Sequence, residues 1–340
     1  MTGPRVALCG AGMIAGVHAV AARELGLPIV GVASRTRERA AELAARVQSR
    51  PVDYDDLPVG ADIVIVSTPP GRHTADALRA LEAGAAVLLE KPLCRTLGEA
   101  DLLVDAAAGH AERLLYAENL AYAPVVQEML RQVTDLGPLT TLEVRSLQGL
   151  PSWGAFTTDE WGGGALFDLG VHPLAVAVLL ARPATVVAVR ASLRGGVGHG
   201  SDEHAELDLT FSNGLRGQIV SSWQAGPQPL WDAQAASATA VLRAEVLPEP
   251  FLERDGEQIE LPAPTASVAA IEQYGYVAQL RALVDGISTG RRPLMDAAFG
   301  REVLDIVCAA YASAGRGSAL VTVPFAGSRS RTPLELWRGG

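Results

Sequence analysis

The first 120 residues alternate short apolar runs with helical segments, and this alternation restricts the fold more than any other feature of the chain. The apolar runs lie at residues 6–9, 28–33, 63–67, 86–89 and 113–116. The segments between them have helical periodicity. Apolar strands that alternate with helices form parallel sheets with helices on both faces. We therefore predict an α/β domain over residues 1–120.

The pattern changes in the rest of the chain, where apolar runs follow one another with little helix between them. The runs predict strands at residues 185–193, 203–211, 215–223, 231–236 and 240–246. Residues 204–211 alternate strictly between polar and apolar side chains, as expected for a strand with one buried face. Ser212-Asn213-Gly214 is typical of a hairpin turn. We predict a second domain over residues 121–340 with an antiparallel, one-sided sheet.

The composition excludes several classes of protein. Lys and Arg number 28 against 38 Asp and Glu, and the net charge of −10 argues against nonspecific binding to nucleic acid or anionic lipid. Three cysteines, Cys9, Cys94 and Cys308, have neither disulfide nor zinc spacing, and we expect no metal site. The N-terminus lacks a signal-peptide pattern, and the apolar run 169–181 is shorter than the ~18 residues that span a bilayer. We therefore expect a cytoplasmic protein.

A glycine-rich segment follows the first predicted strand and opens the first predicted helix. It reads Gly10-Ala11-Gly12-Met13-Ile14-Ala15, a G-x-G-x-x-A variant of the dinucleotide-binding pattern. Gly10 permits a tight turn, Gly12 lets a pyrophosphate approach the backbone, and the small Ala15 lets the helix pack on the strand. The N-terminus of the helix then faces the phosphates. We place the pyrophosphate of a dinucleotide against Gly10, Gly12, Met13 and Ile14.

Ser34 and Arg35 end the second predicted strand, at the position that selects between NAD and NADP. NAD-selective sites usually carry Asp or Glu here, which bonds the ribose 2′-hydroxyl. A hydroxyl and a guanidinium instead suit a 2′-phosphate, which a carboxylate would repel. We predict that NADP(H) is favoured over NAD(H).

Lys91 is the only lysine among the 28 basic residues. Arginine cannot release a proton in a protein, whereas lysine can. Glu90-Lys91-Pro92 ends a predicted parallel strand, where open α/β sheets bind their ligands, and Pro92 restricts the backbone of Lys91. An ammonium there can bond a substrate oxygen and shuttle its proton. The alternative is a surface lysine before a helix-starting proline.

Asp168 and His172 follow three consecutive glycines, Gly162 to Gly164. The two residues are four apart, so one helical turn would bring them together, and a carboxylate would orient and activate the imidazole. The glycines suggest close backbone packing. The alternative is a half-buried histidine with a structural aspartate. The remaining histidines apart from His73, namely His18, His110, His199 and His204, are expected to be structural or solvated.

Taken in order, these motifs resemble the glucose–fructose oxidoreductase / inositol dehydrogenase / rhizopine-catabolism (Gfo/Idh/MocA) family. The resemblance spans nearly the whole chain. It rests on the glycine motif with His18, on Ser67-Thr68-Pro69 with His73, on Glu90-Lys91-Pro92, on Asn119 to Pro124, on Gly163-Gly164 with Asp168-x-Gly170-x-His172, and on the closing segment from Gly290 to Arg301.

The resemblance implies a Rossmann domain followed by an α+β domain with a large, mostly antiparallel open sheet, which often mediates dimers or tetramers. It implies Lys91, His172 and Asp168 as catalytic residues, of which Lys91 and His172 handle the proton. The same resemblance places two further sets of residues. The cofactor site also takes Thr68, Pro69, His73, Glu90, Lys91 and Asn119, and the substrate site takes Lys91, Tyr122, Trp153, Asp168 and His172.

The implied activity is NAD(P)-dependent hydride transfer to or from a hydroxyl or ketone carbon of a sugar, cyclitol or sugar derivative. We expect ketone reduction with NADPH by a homodimer or homotetramer, and a small-molecule substrate without nucleic-acid or membrane partners. One alternative is a reductase of a non-sugar C=O or C=N group, or a cyclic-diol dehydrogenase. Another is a dinucleotide-binding regulator that does not catalyse a reaction, which the presence of Lys91, Asp168 and His172 disfavours.

Overall fold

The computed structural model describes residues 3–58, 60–195, 200–226 and 228–339. They form two compact units. One unit comprises the chain up to Cys94 together with Gly98–Tyr122 and Pro264–Arg301, and the other comprises Arg95–Leu97, Ala123–Ala263 and the chain from Glu302 onward.

The helices and strands of the first part of the chain alternate as predicted. They are β1 (Val6–Cys9), α1 (Met13–Glu24), β2 (Ile29–Ala33), α2 (Arg37–Arg46), β3 (Pro51–Val52), β4 (Ile63–Val66), α3 (Pro70–Glu82), β5 (Ala86–Glu90), α4 (Leu97–Ala106) and β6 (Leu114–Ala117).

Among the described residues, the later part of the chain opens with a helix, a strand and two further helices, continues with seven strands, and closes with helices and one short strand. It contains α5 (Pro124–Val133), β7 (Leu139–Leu147), α6 (Ala165–Asp168), α7 (Val171–Ala181), β8 (Val186–Gly195), β9 (Asp202–Phe211), β10 (Arg216–Ser222), β11 (Leu230–Ser237), β12 (Val241–Leu247), β13 (Phe251–Arg254), β14 (Glu257–Ile259), α8 (Ala269–Gln273), α9 (Tyr276–Thr289), α10 (Ala297–Gly315), β15 (Val321–Thr322) and α11 (Pro333–Arg338).

The sheet of the first unit has six strands in the order β3-β2-β1-β4-β5-β6, and all its recorded pairings are parallel. Cys9 at the end of β1 pairs with Ala33 and with Val66, and Glu90 at the end of β5 pairs with Ala117. The register therefore aligns the carboxyl ends of five strands along one edge. The strand order reverses between β1 and β4, and ligands of doubly wound sheets bind at such a point. The predicted parallel sheet is confirmed.

Two helix boundaries in this unit differ from the sequence prediction. Helix α3 begins at Pro70 rather than at His73, because a proline is pre-organised for the first helical position. The single helix predicted over residues 268–287 is two helices, α8 and α9. Gly275 separates them with φ of 85°, in the left-handed region that a continuous helix cannot contain.

The sheet of the second unit has nine strands in the order β14-β13-β12-β11-β7-β10-β9-β8-β15. Its strands are antiparallel except for the parallel pair of β7 and β10, so the predicted mostly antiparallel sheet is confirmed. Helix α7 packs against β7, β10 and β11, and each of its eleven residues is buried. This burial explains why α7 is apolar on all sides.

One face of this sheet is exposed. Along β9 and β10, buried and exposed residues alternate as the sequence pattern predicted. Strands β13 and β14 were not predicted. Asp255 and Gly256 join them with positive φ values of 54° and 85°, so the Asp-Gly pair forms the hairpin turn that this dipeptide favours.

The compact units differ from a single division at residue 120, chiefly in one long segment. Residues Pro264–Arg301 belong to the unit that contains the parallel sheet, although they follow the second sheet in sequence. Helix α9 packs on α1 and on strands β5 and β6, and thereby covers one face of the parallel sheet. Among the described helices, none has the length and apolar character that crossing a bilayer requires.

Candidate active site

Gly10 and Gly12 form the turn between β1 and α1. Gly10 has φ of +126°, and a Cβ atom there would lie 2.6 Å from Ser67 Oγ and 2.7 Å from the Ser67 carbonyl oxygen. A side chain is therefore excluded at Gly10 by both conformation and space. Gly12 has no atom within 4 Å of its Cβ direction, so the backbone at this point is open to an approaching ligand.

The N-terminus of α1 has the properties of an anion site. Gly12 is the N-cap residue, no side chain caps the helix, and no acidic residue lies in its first turn. The first N–H groups of the helix are thus available to an anion, and the helix dipole favours negative charge. Met13, 51% exposed, and the partly buried Ile14 follow directly. These observations fit a pyrophosphate at the predicted residues.

Ser34 and Arg35 directly follow β2, at the same edge of the sheet. The Arg35 side chain is exposed, while the Ser34 hydroxyl accepts a bond from the Thr36 N–H at 3.3 Å. The backbone of Arg35 also bonds the hydroxyl of Tyr54. The guanidinium of Arg72 lies 4.9 Å from the centre of the Tyr54 ring. Tyr54 therefore links the Arg35 backbone to Arg72, whose guanidinium also donates to Asp76 Oδ1 at 2.8 Å. No local motif had marked Tyr54 or Arg72.

Thr68 and Pro69 follow β4, and the loop is held by two buried side chains. The Thr68 hydroxyl donates to Asp76 Oδ2 at 3.0 Å. The ring nitrogens of His73 lie 2.7 Å from the Thr68 carbonyl oxygen and 2.9 Å from that of Pro92. His73 is 1% exposed, and burial lowers its pKa although both carbonyls oppose this shift. A neutral imidazole donates to one of these two carbonyl oxygens and lies against the other, so His73 links the Thr68 and Pro92 backbones. Its predicted contact with the cofactor stays a prediction.

Glu90 and Lys91 lie at the end of β5. Glu90 Oε1 is 2.7 Å from His18 Nε2 on α1, and Glu90 Oε2 accepts a bond from the Lys91 backbone N–H at 3.0 Å. Burial acts to raise the pKa of Glu90, but the bond from His18 and the charges of His18 and Lys91 outweigh it, so the pKa lies below its usual value. Lys91, which is partly buried, therefore lies next to an ionised carboxylate.

His18 is fully buried, as expected for a structural histidine, and contacts the edge of the Tyr276 ring at 5.6 Å. Its Nδ1 atom has no hydrogen-bond partner among the described residues. Its role is nevertheless specific, because it holds the carboxylate beside Lys91. His199, another of the four histidines expected to be structural or solvated, lies outside the described residues.

Asn119 and Tyr122 follow β6 in a 3₁₀ turn. The Asn119 side-chain amide donates to the Tyr274 carbonyl oxygen at 2.7 Å. Tyr122 is 8% exposed, and its hydroxyl accepts a bond from the Met295 N–H at 3.4 Å. Burial raises the pKa of Tyr122. The buried hydroxyl of Tyr122 thus bonds the backbone of its own unit, and its predicted contact with substrate stays a prediction.

Together, the residues after β1, β2, β4, β5 and β6 surround one edge of the parallel sheet. The glycine turn accommodates close backbone approach, the α1 N-terminus suits phosphate, and Arg35 supplies a cation at the ribose end. These features fit an NAD-type dinucleotide. Within residues 3–58, 60–195, 200–226 and 228–339, no group of three or more His, Cys, Asp and Glu side chains could hold a metal ion.

Asp168 and His172 lie in the second unit, 4% and 5% exposed respectively. The sequence predicted one helical turn between them. Asp168 instead ends the short helix α6, and His172 lies in the first turn of α7. Gly170 joins the two helices, and its Cβ would lie 2.7 Å from the Leu166 carbonyl oxygen, so the junction is too tight for a side chain.

The glycines before α6 are as closely packed as predicted. A Cβ atom on Gly163 would lie 2.6 Å from Cγ of Phe167, and one on Gly164 would lie 2.6 Å from the Asp202 nitrogen. Gly162 has φ of +100°. The glycines therefore let this segment lie directly against its neighbours.

His172 adjoins a cluster of aromatic rings that the sequence prediction missed. The Trp231 ring lies 5.2 Å from the His172 ring at an angle of 31°. Trp231 and Trp161 pack against a buried core that includes Phe156 and Trp223. The indole nitrogens of Trp161, Trp223 and Trp231 are buried and have no hydrogen-bond partner among the described residues. Buried donors without acceptors are unusual and require an explanation.

Trp153, the aromatic residue predicted to bind substrate, lies at the outer end of this cluster. It is 57% exposed and contacts the Phe156 ring edge-to-face at 4.8 Å. No local signal could have identified Trp231, because it is distant from His172 in sequence and reaches it through the fold of the sheet.

Comparison with known proteins identifies the family of the chain. A family model described as "Oxidoreductase family, NAD-binding Rossmann fold" matches residues 4–118, and one described as "GFO/IDH/MocA C-terminal domain" matches residues 126–241. The chain therefore belongs to the GFO/IDH/MocA family of oxidoreductases. The predicted Rossmann-type fold and the predicted class of NAD(P)-dependent enzyme are confirmed at the level of this family.

The curated relatives and solved structures that resemble the chain include the following three. D-glucoside 3-dehydrogenase of Escherichia coli is 36% identical over 51% of this chain and 53% of its own length. The dTDP-3,4-didehydro-2,6-dideoxy-alpha-D-glucose 3-reductase of Saccharopolyspora spinosa is 37% identical over 43% and 46%. The matches thus span about half the length of these relatives. GenD2 from gentamicin A biosynthesis, solved with NAD, is 25% identical with a TM-score of 0.84, covering 95% of this chain and 97% of that chain.

Proposed function

We propose that this protein interconverts a hydroxyl and a ketone on a sugar, cyclitol or sugar derivative, with NADP(H) favoured over NAD(H) and ketone reduction as the main direction. The observation that carries the proposal is the position of Lys91. The only lysine of the chain follows β5 at the sheet edge that fits the dinucleotide, and an ionised buried carboxylate lies beside it. The names of both curated relatives refer to sugars, which supports the substrate class.

When bound, the dinucleotide supplies or accepts the hydride. The side chains of the protein manage the substrate oxygen. In the reductive direction, Lys91 Nζ donates a hydrogen bond to the carbonyl oxygen and stabilises the negative charge that develops there. The family motif assigns His172 to the same proton transfer and Asp168 to orienting it. A positioned acid–base group of this kind contributes about 10²–10⁴-fold to a rate.

The preference for NADP(H) rests on Ser34 and Arg35. An exposed guanidinium and a hydroxyl follow β2 where a carboxylate would select NAD. Arg72 stacks on Tyr54 next to the Arg35 backbone, but its guanidinium already pairs with the buried carboxylate of Asp76 at 2.8 Å. The cation that we assign to a 2′-phosphate is therefore Arg35.

Trp231 supports a sugar as substrate. Ligand pockets combine aromatic walls with a few placed polar groups, and the apolar C–H face of a pyranose ring packs well on an indole. Trp231 brings such a ring to within 5.2 Å of His172.

We further propose that the protein is a homodimer or homotetramer assembled through the exposed face of the nine-stranded sheet. That face has alternating exposed residues along β9 and β10. Light scattering at micromolar concentration tests this, and a monomeric mass would contradict it. The predicted cytoplasmic location stays a prediction.

The function is tested by deuterium transfer. NADPH labelled at the reactive carbon is incubated with a panel of keto-sugars, with and without a nucleotide attached, and the products are analysed by mass spectrometry. We expect one class of panel member to acquire a single deuterium. A protein that binds NADPH tightly and labels no panel member would contradict the proposal and favour a dinucleotide-binding regulator.

A further inference from the structure

Asp202 is a buried carboxylate that the proposed chemistry does not use. It begins β9 and is 0% exposed. Its Oδ2 atom accepts a hydrogen bond from the Leu166 N–H at 2.8 Å, and its Oδ1 atom accepts one from the Tyr311 hydroxyl at 2.5 Å. Aspartate is rarely buried completely without specific partners, because desolvation of the charge is costly.

Tyr311 extends this network to a second backbone group. The residue lies on α10, is 0% exposed, and its hydroxyl accepts a bond from the Gly164 N–H at 2.9 Å. The Ser221 hydroxyl on β10 donates to the Ala165 carbonyl oxygen at 3.0 Å. Side chains from three separate elements thus bind the backbone of three consecutive residues, 164–166.

The anchored residues form the start of α6, and the last residue of α6 is Asp168. Steric contact reinforces the hydrogen bonds, because a Cβ atom at Gly164 would lie 2.6 Å from the Asp202 nitrogen. Helix α6 has only four residues, so its own helical bonds cannot fix its direction. The external anchors therefore help to set the direction of α6, which ends at Asp168 and is joined through Gly170 to the first turn of α7, where His172 lies.

We propose that Asp202 and Tyr311 are positioning residues that hold the segment carrying Asp168 and His172 in its reactive conformation. The inference rests on the proposed function, since it assigns the network to the same reaction. Satisfied buried networks specify one arrangement, whereas a network that loses a member leaves buried groups without partners.

The network is expected to depend on pH. Burial raises the pKa of Asp202 to about 6, although the bonds from Leu166 and Tyr311 act to lower it. Tyr311 from α10 is the titratable side chain that faces the carboxylate, α6 presents backbone N–H groups, and β8 presents Gly195. The Leu166 N–H and the Tyr311 hydroxyl both donate to this carboxyl group. Protonation adds a third hydrogen to the same group and makes it a weaker acceptor. The anchoring therefore weakens below about pH 6.

The weaker anchoring of residues 164–166 below pH 6 is not a loss of stability of the whole fold. A carboxyl group whose pKa is higher in the folded state than its usual 3.8 binds protons more readily when folded. Its contribution to stability therefore becomes more favourable, not less, as pH falls from about 6 toward 3.8. As the pH falls through this range, protonation of Asp202 should lower turnover and raise stability. A residue with only a structural role would not change the two quantities in opposite directions.

The test uses the full chain with three variants: Tyr311→Phe, Asp202→Asn and the control Ser313→Ala. Ser313 lies on the same helix, and its buried hydroxyl accepts from the Ala191 N–H and donates to the Ala319 carbonyl oxygen, away from α6. Deuterium exchange of the peptide covering residues 160–175 reports the anchoring without any substrate. Steady-state turnover across pH reports its consequence, with NADPH affinity measured by fluorescence.

We expect Tyr311→Phe to speed exchange at residues 164–166 about tenfold. Turnover should fall about 10- to 100-fold, since small misplacements of catalytic groups have effects of this size, while NADPH affinity stays within about twofold. In Asp202→Asn, turnover should no longer decline around pH 6. In Ser313→Ala, only the stability of the fold should decrease. Parent-like exchange in Tyr311→Phe, or a parent-like pH profile in Asp202→Asn, would overturn the inference. If Tyr311→Phe speeds exchange but the parent turns over no sugar, the proposed function is contradicted and the anchoring is supported.

Discussion

His18 Nε2 lies 2.7 Å from Glu90 Oε1, and the other oxygen of Glu90 accepts the backbone N–H of Lys91. A residue of the helix whose N-terminus fits the pyrophosphate is thereby linked to the residue before the only lysine. Both side chains of the pair are nearly inaccessible to solvent, so the contact is protected from screening. Helix α1 and the end of β5, which carries Lys91, are thus connected through this buried pair.

Glu90→Gln should reduce kcat about tenfold, because the carboxylate that fixes the Lys91 backbone and balances its charge is lost. NADPH affinity should change less than threefold, since the glycine turn and the α1 N-terminus are intact. Steady-state kinetics with cofactor titration measures both quantities. Glu82→Gln, at the exposed end of α3, is the matched control. Equal losses in the two variants would show that the pair has no specific role.

Arg35→Ala should weaken NADPH binding about 10- to 100-fold, the range for losing one charge-assisted hydrogen bond. NADH binding should change little, because NADH lacks the 2′-phosphate. Fluorescence titration of both cofactors makes the comparison, with Arg39→Ala on the exposed side of α2 as control. Equal losses for NADPH and NADH would remove the basis for the proposed preference.

The parallel sheet could be predicted from sequence because its signals are local. Each of its strands β1, β2, β4, β5 and β6 is a short apolar run between helices, and Gly10 and Gly12 follow β1 directly. The hairpin of β13 and β14 was missed although Asp255-Gly256 marks its turn, because the flanking residues are partly charged and lack a clear apolar run. The return of residues 264–301 to the first sheet depends on tertiary packing and has no local signal.

The residues of the candidate site that directly follow strands of the parallel sheet could be predicted from the sequence. The contacts that hold it together join residues far apart in sequence: His18 and Glu90 are 72 residues apart, and Asp202 and Tyr311 are 109 apart. Pattern alone assigned His18 to a structural or solvated role and did not mark Asp202 or Tyr311. Their significance depends on which backbone groups they reach, and only the fold determines this.

Trp231→Leu should raise KM for the sugar about tenfold, because it removes the aromatic ring beside His172 and the loss of one well-packed ring contact has this magnitude. Trp231→Phe, which keeps a ring, should have a smaller effect. The exposed Trp153 provides the comparison, since its replacement by leucine removes an indole at the outer end of the same cluster. A larger increase in KM for Trp153→Leu than for Trp231→Leu would indicate that the substrate binds beside Trp153 instead.

The fold should lose stability as the pH falls below 6.5, and His73 should account for part of this loss. Burial lowers the pKa of His73 from 6.5, so the unfolded chain binds a proton that the folded chain excludes. The contribution is therefore fully present above pH 6.5 and declines as the pH falls. Urea denaturation between pH 7.5 and pH 5 should show a flatter dependence for His73→Gln than for the parent.

His110→Gln is the matched control for that series, because the side chain of His110 is 71% exposed. The raised pKa of Asp202 acts in the opposite sense below about pH 6, but it is shared by all three proteins and cancels in the comparison. If His73→Gln and the parent had the same pH dependence, the buried neutral state of His73 would be refuted.

Lys91→Arg tests the chemistry because it keeps the positive charge and removes the transferable proton. A lysine that served only as a surface cation would tolerate this exchange, since the chain uses arginine at its other basic positions. A lysine that handles the substrate proton would not, and His172→Ala should have a comparable effect. The double variant should lose less than the product of the two single losses, because residues that act as a unit are not additive.

The most direct measurement is the single-turnover rate of hydride transfer in Lys91→Arg, with NADPH and an accepted substrate both saturating. We expect a fall of about 10²–10⁴-fold, the usual contribution of a positioned acid–base group, with NADPH affinity changed far less. A rate within a few-fold of the parent would instead show that the proton of Lys91 has no part in the reaction.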